Sequence, residues 1–309
     1  MIKQTFTAIF DSLPNNIIAT VHKDPDFDAI GSLLAFGTLI NQYGKTCTLY
    51  APDIDMDQFK SLPSIESIKT TVLDHYDWAF FLDCADISRI YLPDTFPTFQ
   101  TSVNIDHHQD NTLFATHNLV QDISSVGELL FHLFNALNQP ITTQTATQLY
   151  AAINFDTGGF RFANTTPTTM KVASDLLQYK IDIAKINTWI HESKSNAYFD
   201  DIKIGLTHEY IDPNNPFSIV FIPYSIHQSK ESIVNFFRQR ESIDTVIICK
   251  ETAPNEFKLS FRSKGQINVQ NIAKQFGGGG HILASGANTT GSFESLKQQL
   301  ITLTNEAYQ

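Results

Sequence analysis

The sequence is poor in positive charge. Lys and Arg together number 21 against 32 Asp and Glu, which leaves a formal net charge of -11 and a pI of about 5.3. Proteins that bind long duplexes present a basic stripe to the phosphates, so we do not expect long duplex DNA as a partner. A small phosphorylated substrate is still compatible with this charge, because a few Arg or His residues can bind a phosphate locally.

Patterned cysteines and long apolar runs are also lacking. Cys47, Cys84 and Cys249 are scattered and form no CxxC pair, which argues against a disulfide framework and against a structural zinc site. No apolar run reaches membrane-spanning length, and residues 1–16 lack the apolar centre of a signal peptide. We therefore expect a cytoplasmic protein with no membrane partner.

The order of apolar patterns predicts an α/β fold. At 309 residues, two domains are favoured over one hydrophobic core. In the first half, short apolar runs alternate with helical periodicity, which is typical of parallel β-α-β units. The predicted strands cover residues 16–21, 46–50, 78–82 and 102–105, and the predicted helices cover 30–43, 127–137, 143–154 and 168–178.

A different pattern of predicted strands and helices begins after a more polar helical stretch. Strands are predicted at residues 206–211, 218–222, 245–249 and 257–261, with helices at 232–238, 269–276 and 293–303. We therefore predict a parallel-sheet catalytic domain at 1–185, a helical linker at 186–200 and a smaller α/β substrate-binding domain at 201–309. The cleft between the two domains is the expected place for substrate.

Acidic and imidazole side chains follow the predicted strands of the first half. His22 and Asp24 to Asp28 follow the first strand, Asp83 follows the third and Asp106-His107-His108 follow the fourth. The carboxyl ends of parallel strands share one edge of a sheet, and a helical run that ends at Asp156 adds a further acid. So many carboxylates together raise one another's pKa unless divalent cations neutralise them.

Each of these residues has a simpler interpretation when taken alone. Asp24 or Asp26 could cap the helix that follows, Asp83 could accept backbone hydrogen bonds in a turn, and either histidine could be a hydrogen-bonded structural residue. The coincidence of four segments, each with an acid or a histidine at a predicted element end, favours a metal site. Mixed imidazole and carboxylate ligands suit Mn, Fe, Zn or Co.

These residues resemble the motifs of the DHH phosphoesterase superfamily, which includes RecJ-like exonucleases and family II pyrophosphatases. Its first motif is similar to residues 22–32, its second to Asp83, its namesake third to Asp106-His107-His108 and its fourth to Asp156-Thr157-Gly158. The resemblance implies two divalent metal ions, with Mn²⁺ first and Mg²⁺ or Co²⁺ as alternatives.

The resemblance also implies a role for each residue. One ion would be held by His22, Asp26 and Asp83, and the other by Asp28, Asp83, His107 and Asp156. Asp106 would support a neighbouring ligand, and His108 would face the substrate phosphate. Arg161, just after the fourth motif, is left open between a substrate contact and a surface cation.

The second half is similar to the DHH-associated domain of the same superfamily. The similarity lies in Arg262-Ser263 and in the run Gly277-Gly278-Gly279-Gly280-His281, in which glycines can bring backbone N–H groups to a phosphate. Arg262, Ser263, Gly278, Gly279, Gly280 and His281 are thus the implied substrate contacts. Ile282-Leu283 replace the Lys-Asn that commonly follows this histidine, which leaves the finer substrate contacts open.

The length and the two domains resemble the oligoribonuclease and 3′-phosphoadenosine 5′-phosphate phosphatase (NrnA-like) branch. The implied activity is hydrolysis of short oligonucleotides to 5′-mononucleotides and removal of the 3′-phosphate of that bisphosphate nucleotide. One alternative is a soluble cyclic- or linear-dinucleotide phosphodiesterase. Another is a catalytically inactive nucleotide-binding regulator. Monomer and homodimer both stay open.

Overall fold

The chain divides into two units, Met1–Ser193 and Lys194–Gln309. The structure is a computed structural model that describes residues 8–91, 97–225, 229 and 232–309. The strands of the first unit are β1 (Asn16–Thr20), β2 (Thr46–Tyr50), β3 (Trp78–Leu82), β4 (Thr101–Asp106) and β5 (His117–Val120). Its helices are α1 (Phe27–Gln42), α2 (Met56–Phe59), α3 (Val126–Ala136), α4 (Thr143–Asp156), α5 (Pro167–Leu177) and α6 (Ile183–Asn187).

The strands of the first unit form a parallel sheet in the order β2-β1-β3-β4-β5. This confirms the predicted α/β class. The chain reverses its direction of progress across the sheet between β1 and β3, and a crevice opens at such a point beyond the carboxyl ends of the strands. His22 follows β1 and Asp83 follows β3, so both lie at this crevice.

Three helices of the first unit meet at small residues. A Cβ at Gly31 of α1 would lie 2.6 Å from the Gln148 carbonyl oxygen of α4, and one at Gly127 of α3 would lie 2.5 Å from Cβ of Ala152. Backbones can approach this closely only where a side chain is absent. The close packing carries Asp28, one turn before Gly31, to the beginning of α3.

The prediction missed β5. This strand lies at the edge of the sheet and pairs only with β4 among the described strands. Leu119 is its only fully buried residue. A strand with a single buried position carries almost no hydrophobic periodicity, and the sequence pattern therefore does not reveal it.

The second unit is built on a mixed sheet. Its strands are β6 (Glu209–Ile211), β7 (Phe217–Ile222), β8 (Thr245–Ala253), β9 (Glu256–Ser263), β10 (Gly279–His281) and β11 (Ala284–Thr290), and its helices are α7 (Asn196–Thr207), α8 (Val234–Phe237), α9 (Val269–Lys274) and α10 (Phe293–Ala307). The order is β10-β11-β9-β8-β7-β6, with β7 and β8 parallel and the other neighbours antiparallel.

Alternating residues of this second sheet enter two separate cores. Phe261 of β9 packs in a cluster with Ile272 of α9 and Leu300 of α10. Val246 of β8 packs in another cluster with Phe237 of α8. Helices therefore cover both faces of the sheet, as predicted for a smaller α/β domain.

The predicted strand at residues 206–211 is wrong at its beginning. Leu206 and Thr207 belong to α7, and the strand β6 is limited to Glu209–Ile211. The helix extends through Gly205 because this glycine packs closely on other elements: a Cβ there would lie 2.8 Å from the Phe237 ring and 2.9 Å from Val220. These contacts are distant in sequence, so local propensity cannot report them.

The predicted linker at residues 186–200 is divided between the two units. Ile186 of α6 and Ile190 of the π turn Thr188–Glu192 are buried in the core of the first unit. Ile202 of α7 is buried in a core of the second unit.

Among the helices of the described ranges, none combines the length and the hydropathy that crossing a membrane requires.

Candidate metal centre

The segment after β1 supplies the first two side chains of the centre. Asp26 caps α1, since its Oδ1 accepts from the backbone N–H groups of Asp28 at 2.9 Å and Ala29 at 3.1 Å. Potential ligand atoms of Asp26, His22 and Asp83 nevertheless all lie within 4.8 Å of one another. The capping role and a ligand role are therefore compatible, because capping uses only one carboxylate oxygen.

The ring orientation of His22 is set by its backbone neighbour. Nδ1 of His22 lies 2.7 Å from the carbonyl oxygen of Lys23. A carbonyl only accepts, so Nδ1 carries the proton. Nε2 then turns towards Asp83, whose Oδ2 is 3.6 Å away. In the neutral ring, Nε2 is the nitrogen with the lone pair that a metal ion needs.

Asp28 is fixed by the beginning of α3. Its Oδ2 accepts from the Val126 N–H at 2.8 Å, and its Oδ1 accepts from the Gly127 N–H at 2.9 Å and from the Ser32 hydroxyl at 3.1 Å. Each carboxylate oxygen offers two lone pairs. Oδ1 is therefore saturated, and Oδ2 is the atom through which Asp28 can bind a cation.

Asp83 has an unusual backbone and an unsatisfied oxygen. Its φ is +57°, in the left-handed region that non-glycine residues rarely occupy. The side chain is buried, and within the described structure its Oδ1 accepts no hydrogen bond. Strain of this kind is typical of functional sites, and a buried oxygen without a donor is costly unless a cation approaches it.

His107 lies among three carboxylates. Its Nδ1 lies 3.1 Å from the Ile123 carbonyl, which directs Nε2 into the cluster. Nε2 is 3.3 Å from Oδ2 of Asp156, 3.5 Å from Oδ1 of Asp83 and 3.8 Å from Oδ2 of Asp28. Two atoms that each lie about 2.1 Å from one ion are roughly 3.0–3.4 Å apart at octahedral or tetrahedral angles. The separation from Asp156 falls within this range, and those from Asp83 and Asp28 exceed it slightly.

Asp156 is placed by the way α4 ends. It is the last helical residue, and Gly158 follows in the left-handed conformation with φ +59°. The Gly158 N–H donates to Phe155 O at 2.9 Å and the Gly159 N–H to Asn154 O at 2.7 Å, the two bonds of a Schellman motif. The glycine of the fourth motif thus stops the helix where Asp156 faces His107.

The charges of the cluster are mutually dependent. Burial and the nearby Asp83 charge raise the pKa of Asp28 to about 7, and burial raises the pKa of Asp156 well above its usual value. Burial lowers the pKa of His22, but Asp83 and Asp26 outweigh it and raise the value to about 10. Burial also acts to raise the pKa of Asp83, but His107 and His22 outweigh this effect and hold the pKa well below its usual range. Without a cation, the cluster therefore retains protons that a divalent ion would displace.

His108 and Asp106 form a separate pair beside the cluster. Nδ1 of His108 lies 2.8 Å from Oδ1 of Asp106 and 3.6 Å from Oδ1 of Asp83. The His108 charge and hydrogen bond outweigh burial and hold the pKa of Asp106 below its usual value. A carboxylate only accepts, so Nδ1 of His108 carries a proton and donates it.

The residues present fit divalent metal binding. The two groups His22, Asp26, Asp83 and Asp28, His107, Asp156 each bring three potential ligand atoms within 4.8 Å. Each group contains an imidazole whose Nδ1 is held by a backbone carbonyl, so that Nε2 faces the cluster. This arrangement is common around metal ions. The six predicted metal ligands are therefore all brought together by the first unit.

In the second unit, Arg262 and Ser263 have different environments. Arg262 is half-buried, and its Nη1 donates to the Phe261 carbonyl at 2.9 Å. Ser263 is fully buried, and its hydroxyl donates to Oδ2 of Asp244 at 2.9 Å. The Ser263 side chain therefore stabilises the interior of this unit, while Arg262 stays partly exposed.

The glycine run forms a tight hairpin rather than a flexible loop. Gly279 to His281 make up β10, which pairs with Ala284 to Gly286 of β11. A Cβ at Gly278 would lie 2.1 Å from the Gly286 carbonyl oxygen, and Gly280 has a φ of +131°. Close packing therefore requires glycine at Gly278, and the backbone conformation requires it at Gly280. His281 is half-buried at the end of the hairpin strand.

The prediction did not include the asparagines that support the centre. Asn111 donates to Oδ2 of Asp106 at 2.6 Å, and Asn104 donates to the Cys84 carbonyl at 3.0 Å. Asn164 joins the Ser124 and Asp156 carbonyls at 3.0 and 3.2 Å. Their positions near the motifs are the only available signal, because a neutral amide has no feature that marks it in a single sequence.

The sequence leaves Arg161 open between a substrate contact and a surface cation. In the structure, its Nε donates to the Gly158 carbonyl at the end of α4.

Comparison with known families agrees with the two-unit architecture. The model of the DHH family, N-terminal domain, matches residues 16–153, and the DHHA1 domain matches residues 216–308. The first match lies in the unit that carries the six predicted metal ligands, and the second lies in the unit with the glycine hairpin.

Individual relatives cover most of the chain. It is 30% identical to the bifunctional oligoribonuclease and PAP phosphatase NrnA of Thermus thermophilus, over 92% of this chain and 87% of that protein. It is 26% identical to the protein of the same description from Bacillus subtilis, over 90% of both chains.

Solved structures share the fold. An exopolyphosphatase-related protein from Bacteroides fragilis is 23% identical and superposes with a TM-score of 0.83, over 98% of this chain and 95% of that chain. RecJ of Thermus thermophilus, crystallised with Mn²⁺, is 13% identical with a TM-score of 0.56, over 98% of this chain and 55% of that chain. The two matched domains and these relatives show that the chain belongs to the DHH family of phosphoesterases.

Proposed function

We propose that this protein is a two-metal phosphoesterase that hydrolyses short oligonucleotides to 5′-mononucleotides and removes the 3′-phosphate of 3′-phosphoadenosine 5′-phosphate. The carrying observation is the position of Asp83 between two histidines. Its Oδ2 is 3.6 Å from Nε2 of His22, and its Oδ1 is 3.5 Å from Nε2 of His107. One carboxylate that faces two ligand groups through different oxygens can bridge two ions. The activities named for the NrnA relatives support the choice of substrates.

Each ion would have its own set of ligands. His22, Asp26 and Asp83 would hold one, while Asp28 through Oδ2, Asp83, His107 and Asp156 would hold the other. Imidazole and carboxylate together favour Mn²⁺, with Mg²⁺ or Co²⁺ as alternatives. When bound, the ions supply an activated water and neutralise charge on the phosphoryl oxygens.

The remaining residues would bind and orient the substrate. His108 presents Nε2, because Nδ1 is held by Asp106 at 2.8 Å; with a proton on Nε2 as well, the imidazolium would donate to the substrate and stabilise phosphate charge. Arg262 offers a planar fork that matches a phosphate, and His281 at the glycine hairpin would add a second contact. No protein nucleophile is needed, and burial raises the pKa of the Cys84 thiol beside Asp83 well above its usual value, which makes thiolate chemistry unfavourable.

A substrate panel with Mn²⁺ tests this proposal. We expect turnover of RNA and DNA dinucleotides and of the bisphosphate nucleotide, with little turnover of pyrophosphate or cyclic dinucleotides. Long duplex DNA should also be a poor substrate, since the chain has a net charge of -11. Cyclic dinucleotides as the best substrates would establish the dinucleotide phosphodiesterase alternative. Nucleotide binding without cleavage of any phosphoester would establish the regulatory alternative.

Arg262→Ala should separate substrate binding from metal binding. We expect KM to rise about 10- to 100-fold, as for loss of a charge-assisted contact of roughly 1.5–3 kcal/mol, while Mn²⁺ affinity by calorimetry stays unchanged. Arg240→Ala is the matched control, because its guanidinium pairs with Glu209 at 2.8 Å in the same unit. Collapse of metal affinity in Arg262→Ala would contradict its assignment to substrate.

A further inference from the structure

Asn111 connects the ends of two neighbouring strands at the centre. Its Nδ2 donates to Oδ2 of Asp106 at 2.6 Å and to the Cys84 carbonyl at 3.1 Å. Asp106 ends β4, and Cys84 follows Asp83 just beyond β3. One amide group thus links the segment that carries His108 to the segment that carries Asp83.

The hydrogen-bond network permits only one orientation of this amide. Oδ1 of Asn111 accepts from the Leu113 N–H at 2.7 Å, while Nδ2 faces a carboxylate and a carbonyl. A flipped amide would place its NH₂ against an N–H donor and its oxygen against two acceptors. Leu113 has a φ of +54°, and this turn brings its N–H back to the asparagine.

The orientation of Asn111 determines that of Asp106. Asn111 holds Oδ2 of Asp106, so Oδ1 is the oxygen that accepts the hydrogen bond from Nδ1 of His108 at 2.8 Å. Asp106 is fully buried, so in the intact protein its Oδ2 depends on Asn111 and not on solvent for a donor. Rotation of the carboxylate would cost both hydrogen bonds together, which makes the pair a rigid support for the His108 ring.

We propose that Asn111 is a positioning residue for the hydrolytic step: by holding Asp106 in place, it fixes the Nδ1–H tautomer and the orientation of His108. The kinetic part of this inference rests on the proposed function. Among the described residues, the hydrogen bonds of the Asn111 side chain reach Asp106, the Cys84 carbonyl and the Leu113 N–H, none of which is a predicted metal ligand, so its effect is transmitted through Asp106. Loss of the amide should therefore impair catalysis more than metal or substrate binding.

The test compares Asn111→Ala with Asn118→Ala. Asn118 lies in β5, just after the loop that contains Asn111, and its side chain also makes three hydrogen bonds, to the backbone of Leu113 and Ala115, but none of these reaches Asp106. For Asn111→Ala we expect kcat on a dinucleotide to fall about 10- to 100-fold, the range for residues that support a metal-site ligand. KM and Mn²⁺ affinity should stay within about twofold of the unchanged protein, and Asn118→Ala should keep kcat.

A spectroscopic measurement distinguishes positioning from general stabilisation. In ¹⁵N-histidine-labelled protein loaded with diamagnetic Mg²⁺, His108 should show the Nδ1–H tautomer, with its signals identified by loss in His108→Gln. Asn111→Ala should give a mixture of tautomers, and Asn118→Ala should not. If Asn111→Ala folds poorly, Asn111→Asp replaces it in the test, because it keeps an acceptor for the Leu113 N–H but loses the donor to Asp106; we expect the same loss of kcat and the same mixture of tautomers.

An unchanged kcat together with an unchanged His108 tautomer in the folded Asn111 variants would overturn the inference. A parallel loss of kcat and Mn²⁺ affinity would overturn it too, since it would show general collapse of the centre. If the unchanged protein hydrolyses no phosphoester, the proposed function fails, but the tautomer measurement still decides the role of Asn111.

Discussion

Asp83→Asn should lose more than about 100-fold in Mn²⁺-dependent hydrolysis, beyond the loss typical of residues that only support a ligand. The substitution removes the charge that would bridge the two ions, and an amide nitrogen cannot bind a cation in place of a carboxylate oxygen. Asparagine is the suitable replacement, because it tolerates the left-handed backbone of Asp83 at φ +57° better than alanine does. Steady-state rates and a Mn²⁺ titration by calorimetry measure both effects.

Asp86→Asn is the matched control for this experiment. Asp86 lies three residues further along and caps the 3₁₀ turn Ile87–Arg89 by accepting from the Ser88 N–H at 2.8 Å. Asparagine caps equally well, so activity should stay close to that of the unchanged protein. Near-normal activity of Asp83→Asn would contradict the two-metal assignment.

Removal of metal ions should abolish hydrolysis and destabilise the first unit at alkaline pH. Folding raises the pKa of Asp28 to about 7 from 3.8, so its contribution to stability is complete below pH 4 and is lost as the pH rises to about 7. His22, with its pKa raised to about 10 from 6.5, acts in the same direction at higher pH. The Tm of the chelated protein should therefore fall between pH 5 and pH 8.

Mn²⁺ should reverse this loss and restore activity. At 100 times its dissociation constant, one bound ion contributes about 2.7 kcal/mol, which corresponds to an increase of roughly 5–10 °C in the Tm of a unit this size. The increase should be larger at pH 8 than at pH 6, because protons compete with the ion for the carboxylates. A chelated protein with full activity, or a Tm that ignores Mn²⁺ at pH 8, would show that this cluster is not a metal centre.

Much of the fold followed from periodicity. Strands β1 to β4 and helices α3 to α5 were predicted nearly in full, because each buries a regular apolar pattern. The edge strand β5, the glycine-containing β10 and the neighbouring β11 were missed. Their pairing depends on partners distant in sequence or on glycines that read as loop signals, so local pattern does not specify them.

The sequence alone determined which chemical groups form the centre. His22, Asp83 and His107 stand at or just after strand ends, and parallel strands of one sheet end at one edge, so their proximity followed from order along the chain. The fit of the whole chain to two domains likewise followed from its length and patterns.

Only the tertiary structure decided how each group is oriented. The beginning of α3 and Ser32 of α1 together occupy three of the four lone pairs of Asp28, and the Ile123 and Lys23 carbonyls direct Nε2 of His107 and His22 inward. Asn111 fixes Asp106 through a contact that has no sequence signature. Hydrogen bonds depend on distance and angle to within a few tenths of an ångström, and those quantities exist only once the helices and strands have packed.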